Sequence, residues 1–146
     1  MIVRDILDSR PRAVVTTDTQ TTVIAAMQLL INNKISCLPV VSQSGELQGI
    51  VSERDIFRLV YDNPAHFQSC PVGQIMSTDV ITASLHDDVD HIASLMTQHR
   101  FRHVPILEGN TIVGLISIGD VVKVRLAQAE DENRHLHKFI DGNYPA

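Results

Sequence analysis

Gly114-Leu115-Ile116-Ser117-Ile118-Gly119-Asp120 decides how the chain is read, because it occurs twice. Sixty-five positions earlier stands Gly49-Ile50-Val51-Ser52-Glu53-Arg54-Asp55, with the glycine, the apolar pair, the serine and the aspartate in the same places. Each copy ends a short apolar run and opens a helical one. A serine followed three residues later by an acid is a helix-capping pattern, in which the side chains accept hydrogen bonds from free backbone N–H groups at the helix start. Those same N–H groups can hold an anion.

Working outward, the repetition covers most of the chain. Val3-Arg4-Asp5-Ile6-Leu7 answers to Val72-Gly73-Gln74-Ile75-Met76 at an offset of 69, and Val14-Val15-Thr16 to Val80-Ile81-Thr82 at 66. The first copy therefore carries three extra residues, around Arg10-Pro11-Arg12. Val23, Ala26, Met27, Leu30 and Ile31 are spaced for one face of a helix, and Val89, Ile92, Ala93 and Met96 repeat the pattern. Thr21 or Thr22, and Asp87 or Asp88, are suitable N-caps. A strand with an internal proline follows in each copy, Cys37–Val41 and His103–Leu107, which predicts an edge or an irregularity. Polar turns lead into the strands Leu47–Val51 and Ile112–Ile116 and then into the Ser-x-x-Asp helices.

Each unit thus reads β-α-β-β-α. The predicted division is 1–60 and 72–126 for the repeats, 61–71 for a connector with two prolines, and 127–146 for a helical extension. A unit of roughly 60 residues buries too little apolar surface to stand alone. The expected fold is α+β, with the two repeats packed sheet to sheet about a pseudo-twofold axis.

Composition narrows the function. With 146 residues, 44% hydrophobic content and a net charge of −5, the chain suits a globular protein and lacks the positive balance of a broad nucleic-acid footprint. No apolar run approaches a membrane span, and no basic leader precedes an apolar stretch, so no membrane and a cytoplasmic location are expected. Cys37 and Cys70 fit no metal spacing and read as reduced thiols. The seven histidines form no helical ligand pair: a predicted helix ends between His99 and His103, and His135 and His137 fall on different faces. Neither Ser-x-x-Asp motif sits in a nucleophile elbow or a phosphate loop, so no enzyme is predicted.

The full repeated order, with Leu/Val-Pro-Val/Ile and Gly-Ile/Leu-Val/Ile-Ser-x-x-Asp in both copies, resembles a pair of cystathionine-β-synthase-type (CBS) domains, or Bateman module, over about residues 1–126. The resemblance implies a regulatory module that binds an adenosine-containing ligand (AMP, ADP, ATP, NAD or S-adenosylmethionine) between the repeats, requires no other cofactor, and pairs into a disc-shaped homodimer. It further implies ribose contacts by Asp55 and Asp120, phosphate contacts near Ser52 and Ser117, and base contacts from the facing segments Ile35-Ser36-Cys37 and Phe101-Arg102-His103. A carboxylate that accepts two hydrogen bonds from vicinal hydroxyls is chemically suited to ribose. The same serine and aspartate would, however, cap their helices in a module without a ligand.

The copies are unequal. Gly119 leaves room for close backbone approach where the first copy has Arg54, a residue that either meets phosphate or lies in solvent. The cleft containing Asp120 is therefore the expected site, faced by Ile35-Ser36-Cys37 with Arg12, and Arg100, Arg102 and His103 with Arg12 form the most concentrated basic set near either cleft. Strand alternation puts Arg102 and His103 on opposite faces.

From Asp120 to Asp141 the chain has neither glycine nor proline, and Gly142 is a natural stop. Val122, Leu126, Ala129, Asn133, Leu136 and Ile140 form a heptad seam with one asparagine. The seam either joins two copies or folds back onto its own module. Two functions follow: a sensor that reports a ligand to a protein target in trans, or a dimeric interaction scaffold with vestigial clefts.

Overall fold

The computed structural model describes residues 1–9 and 13–140; Arg12 and the helix stop expected at Gly142 lie outside the described residues. Repeat one contributes α1 (Val3–Ser9), α2 (Val23–Asn33), β1 (Cys37–Val41), β2 (Leu47–Ser52) and α3 (Glu53–Asp62). Repeat two contributes α4 (Val89–His99), β3 (His103–Glu108), β4 (Thr111–Ser117) and the long α5 (Ile118–Ile140). Short 3-10 turns at Phe67–Ser69 and Val72–Gln74 carry the chain between them. The mixed α+β repeat predicted from the motif pair is the fold observed.

Local chemistry sets the boundaries. The Thr22 hydroxyl accepts from the Ala25 N–H at 3.3 Å to start α2, and Asp88 accepts from Asp90 N–H at 2.8 Å to start α4. Val23, Ala26 and Leu30 are buried as the periodicity requires, but Ile31 is 71% exposed. At about 100° per residue it stands some 80° round from Val23 and looks out of the core. Lys34 (φ 54°) and Arg100 (φ 60°) end the two helices in the left-handed conformation and turn the chain into β1 and β3.

Two antiparallel hairpins result, β1–β2 and β3–β4, with Cys37 opposite Ser52 and His103 opposite Ser117. The expected irregularity is a register shift after Val40 and after Ile106. The leading strand of each repeat is shorter than predicted: instead of a strand at Val14–Thr16 or Val80–Thr82, one residue, Thr17 or Ala83, bridges in parallel to Val40 or Ile106. Thr17 N–H donates to the Pro39 carbonyl at 3.0 Å, and its own carbonyl accepts from Val41 N–H at 2.8 Å. The next step of that ladder needs a donor at Pro39, which has none, and Pro105 stops the ladder at Ala83 in the same way.

The apolar interior forms two clusters, and each is completed by the other repeat. Val3 and Ile6 of α1 are buried among Ile92, Val104, Ile106 and Ile116 of repeat two. Val72, which opens repeat two, is buried among Val23, Leu38, Val40 and Val51 of repeat one, with Ile75 and Met76 packed beside it. Backbone bonds fix the exchange: Val3 N–H donates to Asp87 O at 2.9 Å, and Val72 N–H to Thr21 O at 2.8 Å.

Glycines at equivalent positions mark where segments press together. A Cβ on Gly49 would lie 2.7 Å from the Ser77 carbonyl oxygen, whereas one on Gly114 would meet the Leu7 side chain. Backbone cannot step aside but a leucine rotamer can. Gly49→Ala should therefore cost about 1–3 kcal/mol in urea unfolding, and Gly114→Ala distinctly less. Equal losses would contradict this account of the two contacts.

Candidate functional site

Both Ser-x-x-Asp motifs fold as capping boxes. Asp120 Oδ2 accepts from the Ser117 N–H at 2.7 Å and the Ser117 hydroxyl at 2.9 Å, while Ser117 Oγ accepts from Asp120 N–H at 3.2 Å. Ser52 and Asp55 repeat this at 2.8, 2.9 and 3.3 Å. The motifs are alike internally and differ in what they face.

A cleft of about 1380 Å³ separates the repeats, larger than the roughly 300–1,000 Å³ of an ordinary small-molecule site. Of the residues expected to contact a ligand, Ser117, Asp120, Ile35, Ser36, Cys37 and His103 line it together. Ser52, Asp55, Arg54, Gly119, Phe101 and Arg102 are outside its lining, and Arg12 lies outside the described residues. Gly119 is exposed, and a Cβ there would only touch Ser117 Oγ at 3.5 Å, so its lack of a side chain opens no room in this cleft. Phe101 stacks on His99 with ring centroids 6.2 Å apart. His103, the first residue of β3, lines the cleft, and Arg102 just before it does not.

At the polar end of the cleft one side-chain contact crosses between the repeats and two backbone bonds, one in each repeat, tie each to itself. Ser36 Oγ and His103 Nε2 are 3.2 Å apart across the boundary. Glu53 N–H, the first of α3, donates to Ser36 O at 2.9 Å, and Ile118 N–H, the first of α5, donates to Arg102 O at 2.8 Å. The segments that precede β1 and β3 are thereby pinned to the helix starts. Burial pushes the Cys37 thiol up to about 12, reinforced by Asp55 and Glu53, so it stays protonated and is no nucleophile at neutral pH. Burial also holds the His103 imidazole below its ordinary value; Asp120 opposes this, Arg102 adds to it and Glu53 opposes it.

Leu7, Val15, Met27, Ile56 and Val113 supply an apolar wall, and Asp8, Lys34 and Glu53 add charge at the lining. Sequence reasoning missed these. For Glu53 the signal was present, since it occupies the first position of a helix whose N-terminus had already been placed at the cleft. Among the described residues no three of His, Cys, Asp or Glu converge as metal ligands.

These features are those of a tandem repeat fold, and the chain belongs to the CBS domain family: the family model matches residues 3–62 and again 72–127. The mitochondrial CBS domain-containing protein CBSX3 of Arabidopsis thaliana is 32% identical over 130 residues, 86% of this chain and 63% of the relative. The CBS domain-containing protein YhcV of Bacillus subtilis is 30% identical over 78% of this chain and 80% of its own length. Among solved structures, the CBS-domain containing protein ATU1752 from Agrobacterium tumefaciens superposes with a TM-score of 0.81 at 35% identity, covering 86% of this chain and 99% of that one. The CBS domain pair of protein MJ0100, solved with 5′-methylthioadenosine and S-adenosyl-L-methionine, superposes with a TM-score of 0.79 at 27% identity, over 88% and 98% of the two chains.

An imidazole kept neutral in the folded protein leaves the unfolded chain binding more protons below pH of about 6.5. Stability therefore falls as the pH drops from that value toward the lowered folded one, and is unaffected by this group above it. His103→Gln, which can keep a hydrogen bond to Ser36, should flatten that fall in urea unfolding compared between about pH 7.5 and 5.5. Identical pH slopes for the two proteins would remove His103 from this role.

Proposed function

We propose that the chain is a regulatory module that binds an adenosine-containing ligand in the cleft bearing Asp120, and that it works as a homodimer signalling to a protein target. One observation carries this reading: Ser117 and Asp120 of repeat two and Ile35, Ser36 and Cys37 of repeat one line one cleft. Asp120 accepts the ribose hydroxyls, the start of α5 and Ser117 lie near a phosphate or its replacement, and the apolar wall receives the base. Support for an adenosyl ligand comes from MJ0100, whose domain pair was solved with two such compounds. AMP, ADP, ATP, NAD and S-adenosylmethionine are the candidates.

A ligand held between two repeats can signal only by favouring one arrangement of them over another. The Ser36–His103 contact, which crosses the boundary inside the cleft, is the natural place for that difference to register. The protein acts without catalysis of its own. No helix among the described residues is long and apolar enough to cross a membrane, and the unpaired thiols Cys37 and Cys70 suit the reducing cytoplasm.

Calorimetric titration with AMP, ATP, NAD and S-adenosylmethionine tests the assignment. Asp120→Ala should weaken the ligand that binds by about tenfold or more, the loss of a charged hydrogen-bond acceptor. Asp55→Ala removes the matching capping box, at a similar cost of about 0.5–2 kcal/mol, and should leave the affinity within about twofold. Binding that survives Asp120→Ala would refute the site. Absence of binding by all four ligands would favour the interaction scaffold.

A further inference from the structure

Beyond Val124 every residue of α5 to Ile140 is exposed, so the tail does not fold back onto its own module. Its seam stands in solvent, with Leu126 and Leu136 each 58% and Ile140 76% exposed. Val122, half exposed, starts the seam on the body of the module and occupies the position that Phe57 has in repeat one; Phe57 and Tyr61 are exposed as well. The apolar surface is thus continuous in kind from the module onto the tail.

The flanking charges say what covers it. With Leu126, Asn133 and Ile140 at the a positions and Val122, Ala129 and Leu136 at d, the g positions hold Arg125, Glu132 and Phe139 and the e positions hold Lys123, Glu130 and His137. In a parallel pair of helices each g residue meets the e residue five positions on in its partner. Arg125 then faces the partner's Glu130, and Glu132 faces the partner's His137. In an antiparallel pair e meets e and g meets g, which sets Glu130 beside the partner's Glu130 and Glu132 beside the partner's Glu132, two repulsive contacts. Asn133 at an a position can bond its amide to the partner's Asn133 only in the parallel register.

We propose that two copies of this chain pair their α5 helices in parallel, N-termini together, as a short two-stranded coiled coil in register at Asn133. The proposal rests on the homodimer reading above and adds its orientation. Arg125 already touches Asp90 at 3.2 Å, but both groups are more than half exposed, and such a pair holds too weakly to keep the guanidinium from the partner's Glu130.

Mild oxidation of full-length Leu136→Cys, read on a non-reducing gel beside the unsubstituted chain, should give a covalent dimer that the unsubstituted chain does not. A mass-tagged Leu126→Cys chain mixed with Leu136→Cys should give no mixed dimer, because the two positions meet only in the antiparallel arrangement. In sedimentation, Arg125→Glu should weaken the dimer about tenfold and the added Glu130→Arg should restore it to within about threefold. Mixed cross-links in place of the Leu136→Cys dimer, or failure of the charge swap to restore association, would overturn the parallel pairing while leaving a homodimer standing. Sedimentation of the wild type as a monomer would overturn both.

Discussion

The rest of the structure depends on one exchange: the opening segment of each repeat is buried in the core of the other. Val3 and Ile6 complete the cluster around Ile92 and Ile116, and Val72 completes the cluster around Leu38 and Val51. A repeat of this size on its own has too little interior to be stable. Exchange solves the shortage twice with the same apolar pattern, and makes two sequence repeats into one cooperative body. It also fixes their relative placement through backbone bonds, Val3 to Asp87 and Val72 to Thr21, as well as through packing.

The cleft is a product of that placement. Leu7, partly buried against the second repeat's core, lies on Gly114 and at the same time on the cleft wall, so the exchanged helix shapes the site as it fills the neighbouring interior. The polar end is assembled from Ser36 and Glu53 on one side and His103, Ser117 and Asp120 on the other. Ser36, Glu53, Ser117 and Asp120 are each held by a cap or a helix-start hydrogen bond, whereas His103 bonds across to Ser36, so the variable of the cleft is the relation between repeats. A pseudo-twofold molecule would offer two equal clefts. The copies differ at that point: Cys37 and His103 stand at matching positions, and both line the one cleft that bears Asp120.

Most of the architecture was legible because it is written in local spacing. The apolar faces of α2 and α4, the Thr22 and Asp88 caps, the hairpin turns and both capping boxes follow from residues within a turn or two of one another. What spacing could not show is which core an apolar segment enters: Val3–Leu7 and Val72–Met76 have the same pattern whether they stay at home or cross over. The shortened leading strands were readable in principle, since Pro39 and Pro105 lack the donor that a second ladder step needs, but only once the parallel register was known. At the site, the Ser-x-x-Asp motifs are alike in Asp55 and Asp120, and the choice of Asp120 rests on Gly119, which opens no room in this cleft. What places Asp120 at the cleft is tertiary, and so is the arrival of Leu7, Asp8 and Lys34 in its lining.

The exchange also sets the order in which a growing chain can become native. On the ribosome, at about 5–20 residues per second, the first repeat's interior stays open until Val72 to Met76 emerge, some ten residues after α3 is complete. The second interior closes only when β4 and Val121 arrive, and it then takes in α1. The helix synthesised first is the last to find its place, and until then its apolar face must be carried through the synthesis of everything it will hold together.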